Sequence, residues 1–326
     1  MITADTCRQP AHGRLNRILT GKTVDQLNHT VNVAYRFAGF APVQDKLRRD
    51  DRQGVKRDFM QSVGTLTDAK QQELLSRKIS ELPLKTEGTH LEELIMRLYK
   101  ELEAAGIAFK PNIYLSDSWG CPDEVPVIGV PFHLAHAALC NLLGQMGGIE
   151  VENDMTLMMV LRHEAGHAFN YAYRLYDKPE WQALFGPFSQ PYQEDYQVDP
   201  SSARFVHHLA GCYAQKHPDD DFAETFAVWL TPDSDWQTAY AGTPALEKLQ
   251  YVERVTAEYG EKPPIVTGGR VDMPVEEIRM TISEWYETVY KNRIRQDQST
   301  QIMRPGISEC PKVITREAVV ISCPNY

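Results

Sequence analysis

Residues 163–167 read His-Glu-Ala-Gly-His, and the spacing of these two histidines constrains the fold more than any other feature of the chain. Residues four positions apart lie on one face of an α-helix, so the side chains of His163 and His167 can reach the same point in space. Imidazole nitrogens at that spacing can bind one divalent metal ion. The pentapeptide therefore predicts a helix with a metal site on one of its faces.

The residues around the pentapeptide predict that this helix is buried. Asp154 is the candidate N-cap, and the segment from there to Tyr173 is rich in good helix formers. Apolar residues occupy most sides of the helix: Leu157, Val160, Leu161, Ala165, Ala168 and Ala172. Ionisable side chains inside such a helix are costly unless they are paired or bound to metal. The alternative, a surface helix with two incidental histidines, fits these apolar neighbours poorly.

Glu164 lies on the same turn as the two histidines. A carboxylate there can take a proton from water and pass it to the leaving amine of a peptide bond, so Glu164 is the candidate general base. A catalytic zinc ion is held by three protein ligands. A longer form of the motif has a third histidine six residues after the second, but that position here is Tyr173.

Glu224 is the candidate third ligand. It lies in the segment His217-Pro-Asp-Asp-Asp-Phe-Ala-Glu-Thr-Phe-Ala-Val-Trp-Leu230, where the proline and three aspartates suit a helix start. A single glutamate within the apolar run that follows favours a His-His-Glu zinc site. The alternative is that Glu224 is the one charged residue of an amphipathic helix and that its side chain reaches solvent. Asp220, Asp221 and the pair His207–His208 are the alternative third ligands.

At these two motifs the sequence resembles the gluzincin metallopeptidases. It is most similar to a bacterial group of zinc-binding metallopeptidases, which are distantly related to the anthrax lethal factor and the Mlc-titration-factor peptidases. The resemblance covers roughly residues 110–235 and is specific only at the motifs. It implies that His163, His167 and Glu224 are zinc ligands and that Glu164 is the base.

One position departs from the gluzincin pattern. Many gluzincins carry an aspartate four residues after the ligand glutamate, where it orients a ligand histidine, but that position here is Val228. The orienting carboxylate must then come from elsewhere, for which Asp220 and Asp221 are the candidates.

Peptide hydrolysis passes through a tetrahedral oxyanion, which a hydrogen-bond donor beside the metal stabilises. Tyr213, which precedes the candidate ligand Glu224 in the same segment, is the first candidate for this donor. The alternatives are His207, His208, Tyr192 and Tyr196.

The chain as a whole predicts an α+β fold that is mostly helical, with a zincin-like catalytic domain in which a small mixed sheet packs on the HExxH helix. We divide it into a mainly helical N-terminal region (1–105), the catalytic core (106–260), and a long C-terminal helix with a tail (261–326). Periodicity predicts helices at 67–80, 89–105, 244–259 and 275–298, and strands at 111–116 and 125–132.

Pro126 and Pro131 confine the second strand to the edge of a sheet. An edge strand beside the metal helix offers free backbone groups, so a peptide substrate could add there as one more strand. The alternative is an edge that the prolines block against aggregation.

The net charge of −10 over 326 residues argues against nucleic acid or an anionic membrane as a partner. No apolar run reaches about 18 residues, the length of a membrane-spanning helix. The first residues lack the apolar core of a signal peptide. The six cysteines form no C-x-x-C pair, which is typical of reduced thiols in a cytoplasmic protein. We therefore expect a cytoplasmic, zinc-dependent metallopeptidase with a peptide or protein substrate.

Two other functions stay open at this stage. A catalytically silent, metal-binding relative that acts as a protein-interaction module is the first, and the absence of an aspartate at position 228 supports it. A small-molecule zinc hydrolase or deformylase-like enzyme is the second. Deformylases pair the motif with an upstream cysteine ligand, but Cys140 lacks their surrounding motif.

Overall fold

The computed structural model describes residues 67–146, 153–192 and 196–288. The helices are α1 (Asp68–Ser76), α2 (His90–Ala104), α3 (Ala137–Met146), α4 (Asp154–Tyr173), α5 (Pro179–Phe185), α6 (Pro218–Leu230), α7 (Trp236–Ala239) and α8 (Pro244–Tyr259). Residues 282–288 are also helical. Two strands, β1 (Asn112–Ser116) and β2 (Val127–Pro131), form a small sheet. This part of the chain is thus mostly helical with one small sheet, which confirms the α+β class.

The helices predicted at 89–105 and 244–259 are α2 and α8, but two other predicted helices are shorter than expected. The helix predicted at 67–80 ends at Ser76, because the backbone then turns extended and Ile79 N–H bonds to the Met280 carbonyl. The helix predicted from position 275 starts only at 282. Thr281 and Glu284 cap it reciprocally, each side chain accepting a hydrogen bond from the other residue's N–H.

Residues 1–66 and 289–326 lie outside the described part of the chain, including most of the predicted N-terminal region and the C-terminal tail. One hydrophobic cluster joins α2, α4 and α6 with β1, β2 and the helix at 282–288. Helix α4 lies within this cluster and is buried along almost its whole length, as its apolar composition predicts. Arg162 on α4 forms a two-pronged ion pair with Glu101 on α2 (2.7 and 2.8 Å), which fixes these two helices to each other.

The sheet differs from the predicted mixed sheet, because β1 and β2 pair in parallel, with Asn112 opposite Val127. The far edge of β2 is not open to a peptide. Gly129 exchanges both backbone hydrogen bonds with Gly120 (3.2 and 2.8 Å), Val127 N–H bonds to the nearby Val125 carbonyl, and Pro131 has no N–H. The expectation that a substrate adds to this strand is therefore wrong for β2, and the blocked edge is the correct alternative.

Helices α4 and α6 pack closely at Gly166, the fourth residue of the His-Glu-Ala-Gly-His motif. A Cβ atom at Gly166 would lie 2.8 Å from the Ala223 Cα and 3.0 Å from the Ala223 carbonyl oxygen. These distances are too short for a carbon contact, so only glycine permits this crossing. The motif thus sets the helix spacing as well as the metal ligands.

We predict that Gly166→Ala lowers the free energy of unfolding by about 1–3 kcal/mol, because α6 must move away from α4. Inside a helix, alanine is otherwise better than glycine by about 0.5–1 kcal/mol, so a loss would identify the helix contact as the cause. Urea unfolding measures the change. Gly268→Ala is the matched control, since a Cβ there meets nothing within 4 Å. Equal stability of both variants would contradict the packing argument.

Candidate metal centre

Helix α4, which carries the motif, begins at a hydrogen-bonded N-terminal cap. The Asn153 side chain accepts a hydrogen bond from Thr156 N–H (2.9 Å), so Asn153 and not Asp154 is the N-cap. His163 and His167 lie one turn apart on the side of α4 that faces α6, and both are buried. Their Nε2 atoms converge to 3.0 Å from each other. Two ring nitrogens this close can share one proton in an N–H···N hydrogen bond, and they are also close enough to bind one metal ion.

Asp220 lies with this histidine pair. Its Oδ1 atom is 3.7 Å from His163 Nε2 and 3.5 Å from His167 Nε2. Within the described residues, these three side chains form the one group of His, Cys, Asp or Glu whose ligand atoms are close enough to share a metal ion. Ligands about 2.0–2.1 Å from a tetrahedral zinc ion lie about 3.3 Å from each other, so the donor set fits zinc. The second oxygen, Oδ2, is buried without a hydrogen-bond partner among the described residues.

Glu224, the ligand expected from the sequence, is placed differently. Its Oε1 atom is 2.9 Å from Nδ1 of His163, on the opposite side of the ring from the converging Nε2 atoms. Its Oε2 atom accepts a hydrogen bond from Leu209 N–H (2.8 Å). A carboxylate at Nδ1 holds the ring in the tautomer whose Nε2 lone pair faces the metal. Glu224 therefore orients a histidine in this structure, and it lies outside the group of converging ligand atoms.

Asp219 gives His167 the same support. Its Oδ2 atom is 2.8 Å from His167 Nδ1 and accepts a hydrogen bond from the Tyr171 hydroxyl (2.5 Å). Its Oδ1 atom accepts another from the Asn170 amide (2.7 Å). Each metal-facing histidine thus has its own buried carboxylate. No feature of the sequence had singled out Asn170 and Tyr171, although both follow the motif by one turn on the same helix.

The first turn of α6 explains why the neighbouring aspartates have different partners. His217 caps the helix, since its Nδ1 accepts a hydrogen bond from Asp219 N–H (3.1 Å). Successive helix positions point about 100° apart, so Asp219 and Asp220 reach different histidine atoms. Asp221 turns to α8, where its Oδ2 atom is 2.5 Å from Lys248 Nζ. Asp221 is thus held by Lys248 on α8 and is not placed to supply a metal ligand.

Asp220 and Glu224 are one turn apart and share a face of α6. The gluzincin resemblance implied a ligand at 224 and an orienting carboxylate at 228. The structure instead has carboxylates at 220 and 224, one helical turn earlier, and Val228 is buried in a separate apolar cluster.

Glu164 is buried, and neither of its carboxylate oxygens has a hydrogen-bond partner among the described side chains and backbone groups. Burial raises the pKa of this carboxyl, while the neighbouring His163 and His167 and the nearby Cys121 thiol lower it. Desolvation without a partner is costly for a carboxylate, so a residue kept in this state is a functional candidate.

The buried acidic and basic groups of the site stabilise each other's charges. Burial raises the pKa of Asp220, but its contacts with His163 and His167 and the charge of Lys216 outweigh that effect and hold the pKa below its usual range. Burial lowers the pKa of His163, but Asp220 and Glu224 outweigh it and raise the pKa to about 9. Any proton on the Nε2 atoms must leave when a metal ion binds.

Of the candidates for the oxyanion donor, Tyr213 lies at the histidine pair. Its ring meets the His163 ring edge-on, with centroids 5.5 Å apart. Tyr192 stacks on His217, 3.8 Å between centroids, beside the start of α6. The other three have different contacts: the Tyr196 hydroxyl bonds to the Gly211 carbonyl, His208 Nε2 bonds to the Met159 carbonyl, and His207 N–H bonds to the Tyr240 hydroxyl.

The described cysteines lie outside the group of ligand atoms. Cys140 donates to the His133 carbonyl (2.9 Å), which gives no support to a deformylase-like cysteine ligand. Cys121 donates to the Glu164 carbonyl (3.3 Å). Both are free thiols, as expected, whereas Cys212 is disulfide-bonded, contrary to the expectation of reduced cysteines.

Comparison with known families gives a coarse indication of function. Residues 149–294 match one family model. That family is described as "Putative zinc-binding metallo-peptidase", and the matched range includes all of α4 and α6. No curated protein and no solved structure matches the chain. At this coarse level the chain is similar to zinc-binding metallopeptidases, and hence to hydrolases. No helix in the described residues is long and apolar enough to cross a membrane.

We predict that Asp219→Asn weakens zinc binding by about 10–100-fold, because the amide no longer holds His167 through a charged hydrogen bond. Competition with a chromophoric chelator measures the affinity. Asp117→Asn is the matched control, since Asp117 is also buried but is held by Ser116 and Ser118, away from the metal centre. Unchanged affinity in the Asp219 variant would contradict the orienting role.

Proposed function

We propose that this chain is a zinc-dependent peptidase in which His163, His167 and Asp220 hold the ion. The convergence of the two Nε2 atoms with Asp220 Oδ1 is the observation that carries this proposal. Glu224 and Asp219 hold the two rings from the other side, and this arrangement replaces the expected ligand Glu224 by Asp220. The family match, which includes both helices, supports zinc as the metal.

Zinc in such a site polarises the scissile carbonyl and lowers the pKa of water. Glu164 is the general base that removes a proton from the attacking water and later delivers it to the leaving amine. Burial supports this role, because desolvation raises the pKa of the carboxyl and so makes it a better proton acceptor. Its carboxylate is not committed to another hydrogen bond within the described part of the chain.

Tyr213 is the proposed donor to the oxyanion that forms at the scissile carbonyl. Its ring lies against that of His163, so its hydroxyl belongs to the same buried region as the ligands. Among the candidates, it combines contact with a ligand histidine and a hydroxyl able to donate.

The peptide substrate is expected to contact the segment around Gly120 and Cys121. This segment lies between the blocked edge of β2 and the metal helix, since Gly120 pairs with Gly129 and the Cys121 thiol bonds to the Glu164 carbonyl. A substrate seated there would bring its scissile bond close to Glu164. The proposed substrate class is peptides or proteins.

A catalytically silent, metal-binding relative was the main alternative, and its sequence argument was the missing aspartate at 228. Glu224 and Asp219 fill the orienting positions, which removes that argument. The presence of an uncommitted, buried Glu164 also favours an enzyme, because a site that only binds metal has no use for it.

We predict that Glu164→Gln retains one zinc ion per chain and lowers kcat for peptide hydrolysis by about 10²–10⁴-fold, because the amide cannot accept the proton from water. A fluorogenic peptide library measures turnover, and plasma mass spectrometry measures zinc. Glu261→Gln, at an exposed position after α8, is the control and should leave turnover unchanged.

Full turnover in zinc-loaded Glu164→Gln would contradict the proposed mechanism. Zinc binding by the native protein without turnover on any peptide pool would favour the non-catalytic, interaction-module function instead.

A further inference from the structure

Lys216 is a buried lysine beside the metal centre, with 1% of its surface exposed. It lies between the short 3-10 helix Tyr213–Gln215 and His217, the N-cap of α6. Burying a lysine ammonium is costly, so its surroundings must stabilise the charge. Neither the sequence motifs nor the proposed mechanism gives this residue a role.

Two aromatic rings fix the position of the ammonium group. The Lys216 Nζ atom lies 5.2 Å from the ring centroid of Tyr213 and 5.5 Å from that of Tyr192. Both distances are within the range of a cation–π contact. Tyr192 is itself held by face-to-face stacking on His217, with 3.8 Å between centroids. The ammonium is therefore confined between two tyrosines at the first turn of α6.

Lys216 also donates a hydrogen bond to the Tyr213 hydroxyl oxygen, with Nζ and Oη 3.3 Å apart. An ammonium group has donors and no acceptor, so Tyr213 can only accept in this bond. The phenolic proton must then be directed away from Lys216. The Tyr213 ring stands edge-on against His163, with centroids 5.5 Å apart, so this residue lies beside the histidine pair.

We propose that Lys216 is a positioning residue that fixes Tyr213 as a hydrogen-bond donor toward the oxyanion at the metal centre. The ammonium occupies an acceptor position of the phenol, so toward a substrate oxygen the hydroxyl acts as a donor. This inference rests on the proposed function, because it assigns Lys216 a part in the same reaction.

The positive charge of Lys216 also has an electrostatic role at the start of α6. The start of α6 concentrates three aspartates, and Lys216 is one of the groups that favour the ionised form of Asp220. Its positive charge thus offsets the acidic turn and also strengthens the phenol as a donor, since a hydrogen bond to an ammonium withdraws electron density from the hydroxyl.

The test is a double-mutant cycle on the zinc-loaded full chain: native protein, Lys216→Met, Tyr213→Phe and the double variant. Acetohydroxamate, which binds zinc through oxygen atoms, serves as the probe of oxyanion binding, and calorimetry measures its affinity. We expect each single variant to bind about tenfold more weakly than the native protein, the scale of one hydrogen bond to a charged group. The double variant should bind no more weakly than Tyr213→Phe alone.

Turnover gives the second readout. Lys216→Met should lower kcat with little change in KM, because the hydrogen bond to the oxyanion forms in the transition state. Lys216→Arg should restore part of the loss, since it keeps a charged donor. Lys262→Met is the matched control: Lys262 also lies over a tyrosine ring, that of Tyr259, but at an exposed position outside the centre. Zinc content and thermal unfolding verify that the variants fold.

Unchanged acetohydroxamate affinity in Lys216→Met, or losses that simply add in the double variant, would overturn the inference. Failure of the proposed function is a separate result. It would appear as absence of peptide turnover in the native, zinc-loaded protein, whereas the acetohydroxamate cycle requires no turnover and still decides whether Lys216 acts through Tyr213.

Discussion

The close packing of α6 on α4 is the contact on which the metal centre depends. Gly166 allows the backbone of α6 to approach at Ala223, and that approach brings the first turns of α6 against the histidine-bearing face of α4. The carboxylates of α6 then reach both sides of the imidazole rings. A larger residue at position 166 would push the helices apart and lengthen these contacts. The motif therefore encodes both the ligands and the distance at which their partners sit.

This packing buries an unusual amount of charge. Two histidines and four carboxylates (Glu164, Asp219, Asp220 and Glu224) lie within the α4–α6 contact and are almost fully enclosed. Such burial destabilises a fold unless the charges compensate each other or bind a cation. Asp219 and Glu224 are compensated by hydrogen bonds to ring nitrogens and neighbours. Asp220 and Glu164 retain oxygens without a hydrogen-bond partner among the described residues, and in the proposed function the metal ion and the substrate supply those partners.

The sequence predicted the elements that depend on local pattern. The buried helix over 154–173, α2, α8 and both strands follow from apolar periodicity and helix formers near in sequence. Features that depend on tertiary contacts were missed. The shortened helices end or begin where segments 77–79 and 280–282 pair with each other, and β2 is blocked by a residue pair, Gly120 and Gly129, that no periodicity reveals.

The histidine pair could be read from spacing, but the choice among carboxylates could not. Positions 219, 220, 221 and 224 all carry acids, and the rotation of α6 about its own axis decides which one meets the Nε2 atoms. That rotation is set by contacts to Gly166 and Lys248, far away in sequence. The i, i+4 spacing of Asp220 and Glu224 was the available signal, since it puts a ligand and an orienting carboxylate on one helix face.

The central claim is that Asp220 is a zinc ligand and that Glu224 orients His163. The most direct test is to measure the zinc affinities of Asp220→Ala and Glu224→Ala side by side by chelator competition. The account predicts that Asp220→Ala loses stoichiometric zinc, whereas Glu224→Ala still binds zinc about 10–100-fold more weakly than the native protein. Loss of zinc in Glu224→Ala with retention in Asp220→Ala would contradict the account and return Glu224 to the place of the third ligand.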